Sequence, residues 1–281
     1  MPIILDGKKV AKEVMEKVKR EVAALSEKPG LAVILIGDDP ASKVYVDIKA
    51  RRCRDVGIES YKYRLNKDVS EEDVLVMIDQ LNKDDKATGI LVQMPIPSHI
   101  SRNKIMNAVI PSKDVDGFHP MNIGKLILDE DYLQPCTPLG IIKLLDYYKI
   151  DLSGKEAVVI GNSPIVGNPT AQMLLKKGAT ATVCHRKTKD LKMHTLNADI
   201  IVSAVGKKNL VTADMVKDGV IIVDVGIVRE GDKIFGDVDF ENVKDKCSYI
   251  TPVPGGIGPM TVACLLENTL KAYKIQGGKW D

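Results

Sequence analysis

The sequence lacks the features that identify several functional classes. Its 281 residues include 40 basic and 38 acidic side chains, so the formal net charge of +2 favours neither nucleic acid nor a membrane surface. No apolar run approaches the roughly 18 residues of a membrane span, and the apolar run after Met1 is too short for a signal peptide. We therefore expect a cytoplasmic protein that binds neither nucleic acid nor membrane.

Motifs for metals and activated nucleophiles are also missing. The five cysteines are far apart, and no pair has the spacing of a metal site or a redox motif, which fits a reducing compartment. The four histidines form no metal-spaced set, and no Ser/His/Asp constellation stands out. We predict no metal site.

Apolar runs and helical periodicities alternate along the chain, which is typical of βαβ units with parallel sheets. The length, with 44% hydrophobic residues, fits one large or two medium domains. The predicted strands are 31–36, 58–65, 89–95, 156–160, 179–184, 198–205, 220–225 and 249–253. The main predicted helices are 8–26, 139–148, 170–177 and 260–273.

A turn at 37–40 leads from strand 31–36 into a helix that carries Ser42, Tyr45 and Lys49. Residues three and four apart share one face of a helix, so these side chains gather where a strand gives way to a helix. An amine there can transfer protons near neutral pH when burial lowers its pKa. The same pattern also fits a surface helix with a solvated lysine.

Two further polar features follow apolar segments. Gln93 stands near the carboxyl end of strand 89–95, where α/β proteins bind ligands, although an edge position or a loop cap fits equally. Asp114 and Asp116 stand two apart in the polar loop 111–120. Such a pair can bind a metal or the N–H groups of a ligand, and taken alone it is more typical of a turn.

The loop 161–167 joins a strand to a helix and has glycine at both ends. Glycine lets the backbone approach a phosphate, and a helix N-terminus supplies N–H groups and a positive dipole. Ser163 stands where a dinucleotide fingerprint has its second glycine. The basic segment 185–187 stands where an NAD site has an acid, which favours NADP; a solvated basic turn is the alternative.

Two more glycine-containing segments are candidates for ligand contact. Gly206 and Gly226 follow neighbouring predicted strands and would let a nicotinamide ring lie close to the backbone. The loop 254–259 combines three glycines with two prolines, a composition that suits the wrapping of a flat ligand or a tight connection.

Six motifs occur in order over essentially the whole chain: Ser42-x-x-Tyr45-x-x-x-Lys49, Val92-Gln93-Met94-Pro95, 113–118 (KDVDGF), 135–138 (PCTP), Gly161-x-Ser163-x-x-Val166-Gly167-x-Pro169 and 252–261 (PVPGGIGPMT). Together they resemble the bifunctional methylenetetrahydrofolate dehydrogenase/methenyltetrahydrofolate cyclohydrolase family, the bacterial FolD type. The resemblance implies hydride transfer from 5,10-methylenetetrahydrofolate to NADP⁺. It also implies hydrolysis of the methenyl product to 10-formyltetrahydrofolate.

The resemblance implies a role for each site residue. Lys49 is the general acid/base, Tyr45 stacks on the folate, and Gln93 contacts and tunes Lys49. Asp116 hydrogen-bonds the pterin. The substrate contacts are Ser42, Tyr45, Gln93, Asp116, Pro254, Gly255 and Gly256. The cofactor contacts are Gly161, Asn162, Ser163, Val166, Gly167, His185, Arg186, Ala204, Val205, Gly206, Gly226 and Ile227.

The resemblance also implies two α/β domains around a cleft, the second a Rossmann-type dinucleotide-binding domain. We place the folate-binding domain at 1–137 plus 261–281 and the NADP-binding domain at 138–260, with a homodimer formed through the latter. Many relatives have arginine where this chain has Asn162, and Arg186 can supply the missing charge. The alternatives are an NAD-linked dehydrogenase with weak cyclohydrolase activity and a non-catalytic dinucleotide-binding module that senses redox state.

Overall fold

Two parallel β-sheets organise the protein, whose computed structural model describes residues 1–231 and 233–277. The strands are β1 (Ile3–Ile4), β2 (Gly30–Ile36), β3 (Glu59–Leu65), β4 (Gly89–Val92), β5 (Glu156–Ile160), β6 (Thr180–Cys184), β7 (Ile200–Ser203), β8 (Val220–Asp224), β9 (Val228–Glu230), β10 (Lys233–Phe235) and β11 (Cys247–Ile250). The α-helices are α1 (Gly7–Ala23), α2 (Pro40–Val56), α3 (Glu71–Lys83), α4 (Arg102–Ala108), α5 (Pro120–Ile127), α6 (Cys136–Tyr147), α7 (Gly167–Lys176), α8 (Leu191–Asn197), α9 (Phe240–Val243) and α10 (Ile257–Gln276). Within the described ranges, no helix combines the length and apolar composition needed to cross a membrane.

The chain divides into two compact units. The first unit comprises Glu13–Cys136 and the chain from Val262 onward, and the second comprises Met1–Lys12 and Thr137–Thr261. The sequence-based division assigned residues 1–12 to the first domain instead. They group with the second unit because β1 pairs in parallel with β11.

The first unit is built on a three-stranded parallel sheet in the order β3-β2-β4. Every residue of β2 is buried, as expected for the central strand of a parallel sheet. After β2, Asp39 caps α2 by accepting the backbone N–H of Ser42 at 2.7 Å, and Pro40 occupies the first turn. Since the chain crosses from β3 over β2 to β4, the carboxyl ends of β2 and β4 form the topological switch point of this sheet.

The second unit contains a six-stranded parallel sheet in the order β1-β11-β8-β7-β5-β6. Its switch point lies between β5 and β7, because β6 lies on one side of β5 and β7 on the other. A short antiparallel hairpin, β9–β10, which the sequence pattern did not predict, follows β8. The prediction of two α/β domains, the second of Rossmann type, is confirmed.

Candidate functional site

Lys49 and Gln93 meet at the switch point of the first sheet. Lys49 Nζ donates a hydrogen bond to Gln93 Oε1 at 3.0 Å, and both side chains are partly buried. Gln93 directly follows β4, and its backbone N–H donates to Ile34 O of β2 at 2.9 Å. The amide Nε2 of Gln93 donates to Met94 O at 2.6 Å, which fixes the direction in which Oε1 points. The amine is therefore held by an acceptor whose own orientation is fixed.

Asp116 adds a carboxyl group to this neighbourhood. Burial raises the pKa of Asp116, and the nearby positive charge of Lys49 opposes that rise. Asp114, two residues earlier, is 6% exposed. Burial raises its pKa to about 7, although it accepts hydrogen bonds from the His119 backbone N–H and from Asn122 Nδ2; the charge of Asp116 adds to the rise. The charge of Lys49 therefore influences Asp116, and the charge of Asp116 in turn influences Asp114.

The loop that carries Asp116 is anchored on both sides by buried polar groups. Lys113 Nζ donates to the carbonyl oxygens of Leu81 and Asp84 at the end of α3, at 3.1 and 2.8 Å. Burial lowers the pKa of Lys113. Asn268 Nδ2, from α10, donates to Val115 O at 2.9 Å and to Gln134 O at 2.8 Å. The sequence analysis did not identify Asn268, because the carbonyl of Val115 lies 153 residues away in the chain.

Tyr45 and Ser42 lie on α2, N-terminal to Lys49. Tyr45 is partly exposed and is thus accessible for stacking against a ligand. Ser42 is 2% exposed, and its Oγ has no hydrogen-bond partner among the described residues. A buried hydroxyl without a partner costs free energy, so its environment is suited to a polar group that the protein alone does not supply.

The loop 161–167 begins at the carboxyl end of β5, at the switch point of the second sheet. A Cβ on Gly161 would lie 2.6 Å from Ala204 O, and a Cβ on Gly167 would lie 1.8 Å from Gly161 O. Any side chain at either position would therefore force the loop apart. Ser163 Oγ accepts the N–H groups of Val166 at 3.1 Å and of Gly167 at 3.3 Å.

These hydrogen bonds modify the expectation that the start of α7 offers free N–H groups. Two of these N–H groups, those of Val166 and Gly167, already donate to Ser163 Oγ. The hydroxyl proton of Ser163 remains available for a ligand, because Oγ acts only as an acceptor in these two bonds. Asn162 is exposed beside it. A narrow glycine-bounded cradle with a hydroxyl donor fits the phosphate of a dinucleotide.

The basic segment after β6 forms an ordered turn. The His185 backbone N–H donates to Thr188 Oγ1 at 2.9 Å, and His185 Nδ1 accepts the backbone N–H of Lys187 at 3.1 Å. Arg186 is exposed, and its guanidinium forms no ion pair with any described residue. The turn thus presents a free positive charge near the loop 161–167, since Gly161 N donates to Cys184 O at 2.8 Å.

The segments after β7 and β8 carry the remaining predicted cofactor residues. Val205 and Ile227 are apolar yet 48% and 45% exposed, and Gly206 has φ +77°. The sequence analysis missed two buried acids, Asp224 and Asp237, whose carboxylates accept backbone N–H groups from these segments. The Asp-x-Gly pattern at 224–226 was visible in the sequence, but the partner of each carboxylate was not.

The loop at 254–256 belongs to the second unit and packs against the start of α1. Gly255 has φ +115°, and its carbonyl accepts the Lys8 N–H at 3.2 Å. A Cβ on Gly7 would lie 1.8 Å from Gly256 O, so this contact requires glycine. The loop is a rigid connection; its predicted contact with folate stays a prediction. Among the described residues, no three His, Cys, Asp or Glu side chains are arranged to hold a metal ion.

Comparison with known proteins places this geometry in context. Family models for tetrahydrofolate dehydrogenase/cyclohydrolase match residues 5–116 (catalytic domain) and 135–277 (NAD(P)-binding domain). A Nitratiruptor protein named Bifunctional protein FolD is 54% identical over 275 residues, which are 96% of this chain and 98% of that protein. The crystal structure of the bifunctional enzyme FolD from Campylobacter jejuni is 53% identical, with a TM-score of 0.96 over 98% of this chain and 100% of that one. The Trypanosoma brucei FolD structure, complexed with NADP cofactor and inhibitor, is 34% identical, with a TM-score of 0.94 over 98% of each chain.

Proposed function

Because the chain belongs to the tetrahydrofolate dehydrogenase/cyclohydrolase family, we infer that it catalyses two consecutive reactions on a folate substrate. The first oxidises 5,10-methylenetetrahydrofolate to 5,10-methenyltetrahydrofolate with NADP⁺. The second hydrolyses the methenyl cation to 10-formyltetrahydrofolate. The family predicted from the six motifs is confirmed by these matches. The observation that carries the proposal is the Lys49 amine, held at 3.0 Å by the amide of Gln93.

Hydrolysis requires proton transfers that an amine can perform. Water attacks the bridging carbon of the methenyl cation, and the amine of Lys49 accepts a proton from that water. The bond from the carbon to N5 then breaks, because the product carries its formyl group on N10. Lys49 returns its proton to N5, and the hydroxyl proton leaves to solvent. The net result is consumption of one water and release of one proton.

The neighbours of Lys49 serve these steps by position and charge. Gln93 fixes the amine of Lys49 through one hydrogen bond. The other hydrogen-bonding positions of the amine are left for water and substrate. Asp116 hydrogen-bonds the pterin ring, and its proximity to Lys49 couples substrate binding to the charge of the amine. Tyr45 stacks on the folate, and Ser42 offers it an unpartnered hydroxyl.

The dehydrogenase reaction depends on positioning instead of proton transfer. NADP⁺, when bound, would supply the acceptor for the hydride that leaves the methylene carbon. Gly161 and Gly167 keep the loop 161–167 tightly closed, and the Ser163 hydroxyl would donate to a phosphate there. Many relatives have an arginine at the position of Asn162. In this chain, Arg186 pairs with the 2′-phosphate instead. Val205 and Ile227, whose apolar side chains are exposed, would contact the nicotinamide together with Gly206 and Gly226.

A two-wavelength spectrophotometric assay with methylenetetrahydrofolate tests this proposal. Reduced cofactor and methenyl product are read separately, with NADP⁺ and NAD⁺ in parallel. We expect Lys49→Met to lose about 100-fold or more of the hydrolysis while retaining NADP⁺ reduction. The matched control is Lys83→Met, since that side chain is 74% exposed in an ion pair with Asp79. Hydrolysis by Lys49→Met at the control rate would remove Lys49 from the mechanism.

The assembly and cellular setting follow from the same proposal. The protein acts as a cytoplasmic homodimer that supplies one-carbon units to purine and amino-acid biosynthesis. Light scattering coupled to size-exclusion chromatography should give twice the mass of one chain. A single-chain mass across the working concentration range would contradict the dimer.

A further inference from the structure

Two buried aspartates fix the backbone that carries the proposed nicotinamide contacts. Asp237 is 0% exposed and Asp224 is 4% exposed. Neither has a counter-ion among the described residues; each carboxylate is instead surrounded by hydrogen-bond donors. Buried carboxylates are costly unless such donors compensate them, so their presence here calls for a reason.

Asp237 closes the segment 203–207 around its carboxylate. Its Oδ2 accepts from Ser203 Oγ and from the Val205 N–H, both at 2.8 Å. Its Oδ1 accepts the Lys207 N–H at 2.8 Å. Gly206 has φ +77° and lies between Val205 and Lys207, whose N–H groups donate to Asp237. No described atom lies within 4 Å of a Cβ built on Gly206. The inner side of this segment is therefore bound to Asp237, while Gly206 faces open space.

Asp224 holds both Asp237 and the next segment. Its Oδ1 accepts the N–H groups of Gly226 at 2.9 Å and of Asp237 at 3.0 Å. Its Oδ2 accepts the Val238 N–H at 2.9 Å. The segments after β7 and β8 are thus connected through two carboxylates in series.

Two glycines make this arrangement possible. A Cβ on Gly226 would lie 2.1 Å from Asp237 Oδ1, and a Cβ on Gly236 would lie 1.9 Å from Asp224 Oδ2. The carboxylate of Asp237 therefore lies against Gly226, two residues after Asp224. The carboxylate of Asp224 lies against Gly236, directly before Asp237. Neither carboxylate could reach its donors if the opposing residue had a side chain.

We propose that Asp237 is a positioning residue for the dehydrogenase reaction, acting through the backbone of 203–207. It holds Val205 and Gly206 in the geometry that receives the nicotinamide half of the dinucleotide, and Asp224 holds Asp237. The inference rests on the proposed NADP-linked function. It assigns to Asp237 no contact with the folate and no part in the hydrolysis.

The test is Asp237→Asn, which keeps the shape but turns one acceptor oxygen into a donor facing an N–H group. The control is Asp218→Asn, an exposed acid in the turn before β8. Loss of hydrogen bonds to a charged acceptor should raise the KM for NADP⁺ about tenfold or more, with a smaller change in kcat. Hydrolysis of supplied methenyltetrahydrofolate should stay within about twofold of the control.

Three results would overturn the inference or its basis, and they are distinguishable. A KM for NADP⁺ equal to the control would remove Asp237 from cofactor positioning. A folded variant that loses hydrolysis and reduction equally would show a general structural role. A wild-type enzyme that reduces neither dinucleotide would refute the proposed function itself.

Ser203→Ala decides the matter if Asp237→Asn does not fold. It removes only the hydroxyl donor to Asp237 and leaves the backbone donors in place. We expect the KM for NADP⁺ to rise about two- to fivefold with hydrolysis unchanged. An unchanged KM would overturn the inference.

Discussion

Replacing Gln93 by leucine removes the acceptor that holds Lys49 while keeping a side chain of similar volume. The lost bond has an Nζ–Oε1 distance of 3.0 Å, and its acceptor is itself fixed by a 2.6 Å bond to Met94 O. As Lys49 accepts the proton from water it becomes positively charged, and a hydrogen bond from a charged donor contributes about 1.5–3 kcal/mol, which corresponds to about 10- to 100-fold in rate if it acts in the transition state. We therefore expect the kcat of hydrolysis to fall by that factor. The hydride step needs no proton transfer, so it should stay within about threefold.

The two-wavelength assay separates these outcomes within one preparation. Gln80→Leu is the matched control, because Gln80 is exposed on α3. A second variant, Gln93→Glu, keeps an acceptor but places a carboxylate beside the amine, which favours the charged form of Lys49, so it should also lose hydrolysis. Equal loss of both activities would mean that Gln93 serves folate binding in general. Unchanged hydrolysis in Gln93→Leu would refute the role of the Lys49–Gln93 pair.

Two further variants test the charges around the sites. Arg186→Ala should raise the KM for NADP⁺ about tenfold or more and leave the KM for NAD⁺ unchanged. Steady-state kinetics with both cofactors measure this. Equal effects on the two KM values would show that Arg186 does not bind the 2′-phosphate. Because burial raises the pKa of Asp114 from 3.8 to about 7, the folded protein retains a proton there that the unfolded chain loses. Wild type should therefore lose about 2–3 kcal/mol of unfolding free energy relative to Asp114→Asn between pH 5 and pH 8. Urea unfolding at both pH values measures the difference, and a constant difference would contradict the raised pKa.

The sequence predicts elements of the fold where the apolar pattern is strong and local. The predicted strand 156–160 coincides with β5, and 31–36 falls one residue short of β2. By contrast, β1 has two residues, both exposed, and exists only through pairing with β11. A two-residue strand has no periodicity to detect, and its partner is distant in the chain. The sequence pattern therefore gives no reason to group residues 1–12 with the second unit, where their contacts place them.

In the candidate site, too, local patterns could be predicted from the sequence and contacts between distant residues could not. Lys49 and Gln93 could be expected to meet, because Lys49 lies on the helix that follows β2, Gln93 directly follows β4, and the carboxyl ends of parallel strands share one edge. The anchors of the Asp116 loop could not be expected. Asn268 is polar on a long, mostly apolar helix, and only the folded chain brings it to the carbonyls of Val115 and Gln134. Sequence spacing identifies groups that face a ligand, whereas it does not identify the groups that hold them.

Glycine shows this limit most clearly, because a glycine in the sequence does not reveal which group lies in the space that its missing side chain leaves. Gly206 and Gly226 were both predicted to admit a nicotinamide ring. The space beside Gly206 is open, and its contact with a nicotinamide ring stays a prediction. The missing Cβ of Gly226 instead makes room for the carboxylate of Asp237, at a distance of 2.1 Å. A glycine next to a ligand loop can thus be required by the protein's own buried charge, and a substitution at Gly226 would displace the carboxylate of Asp237.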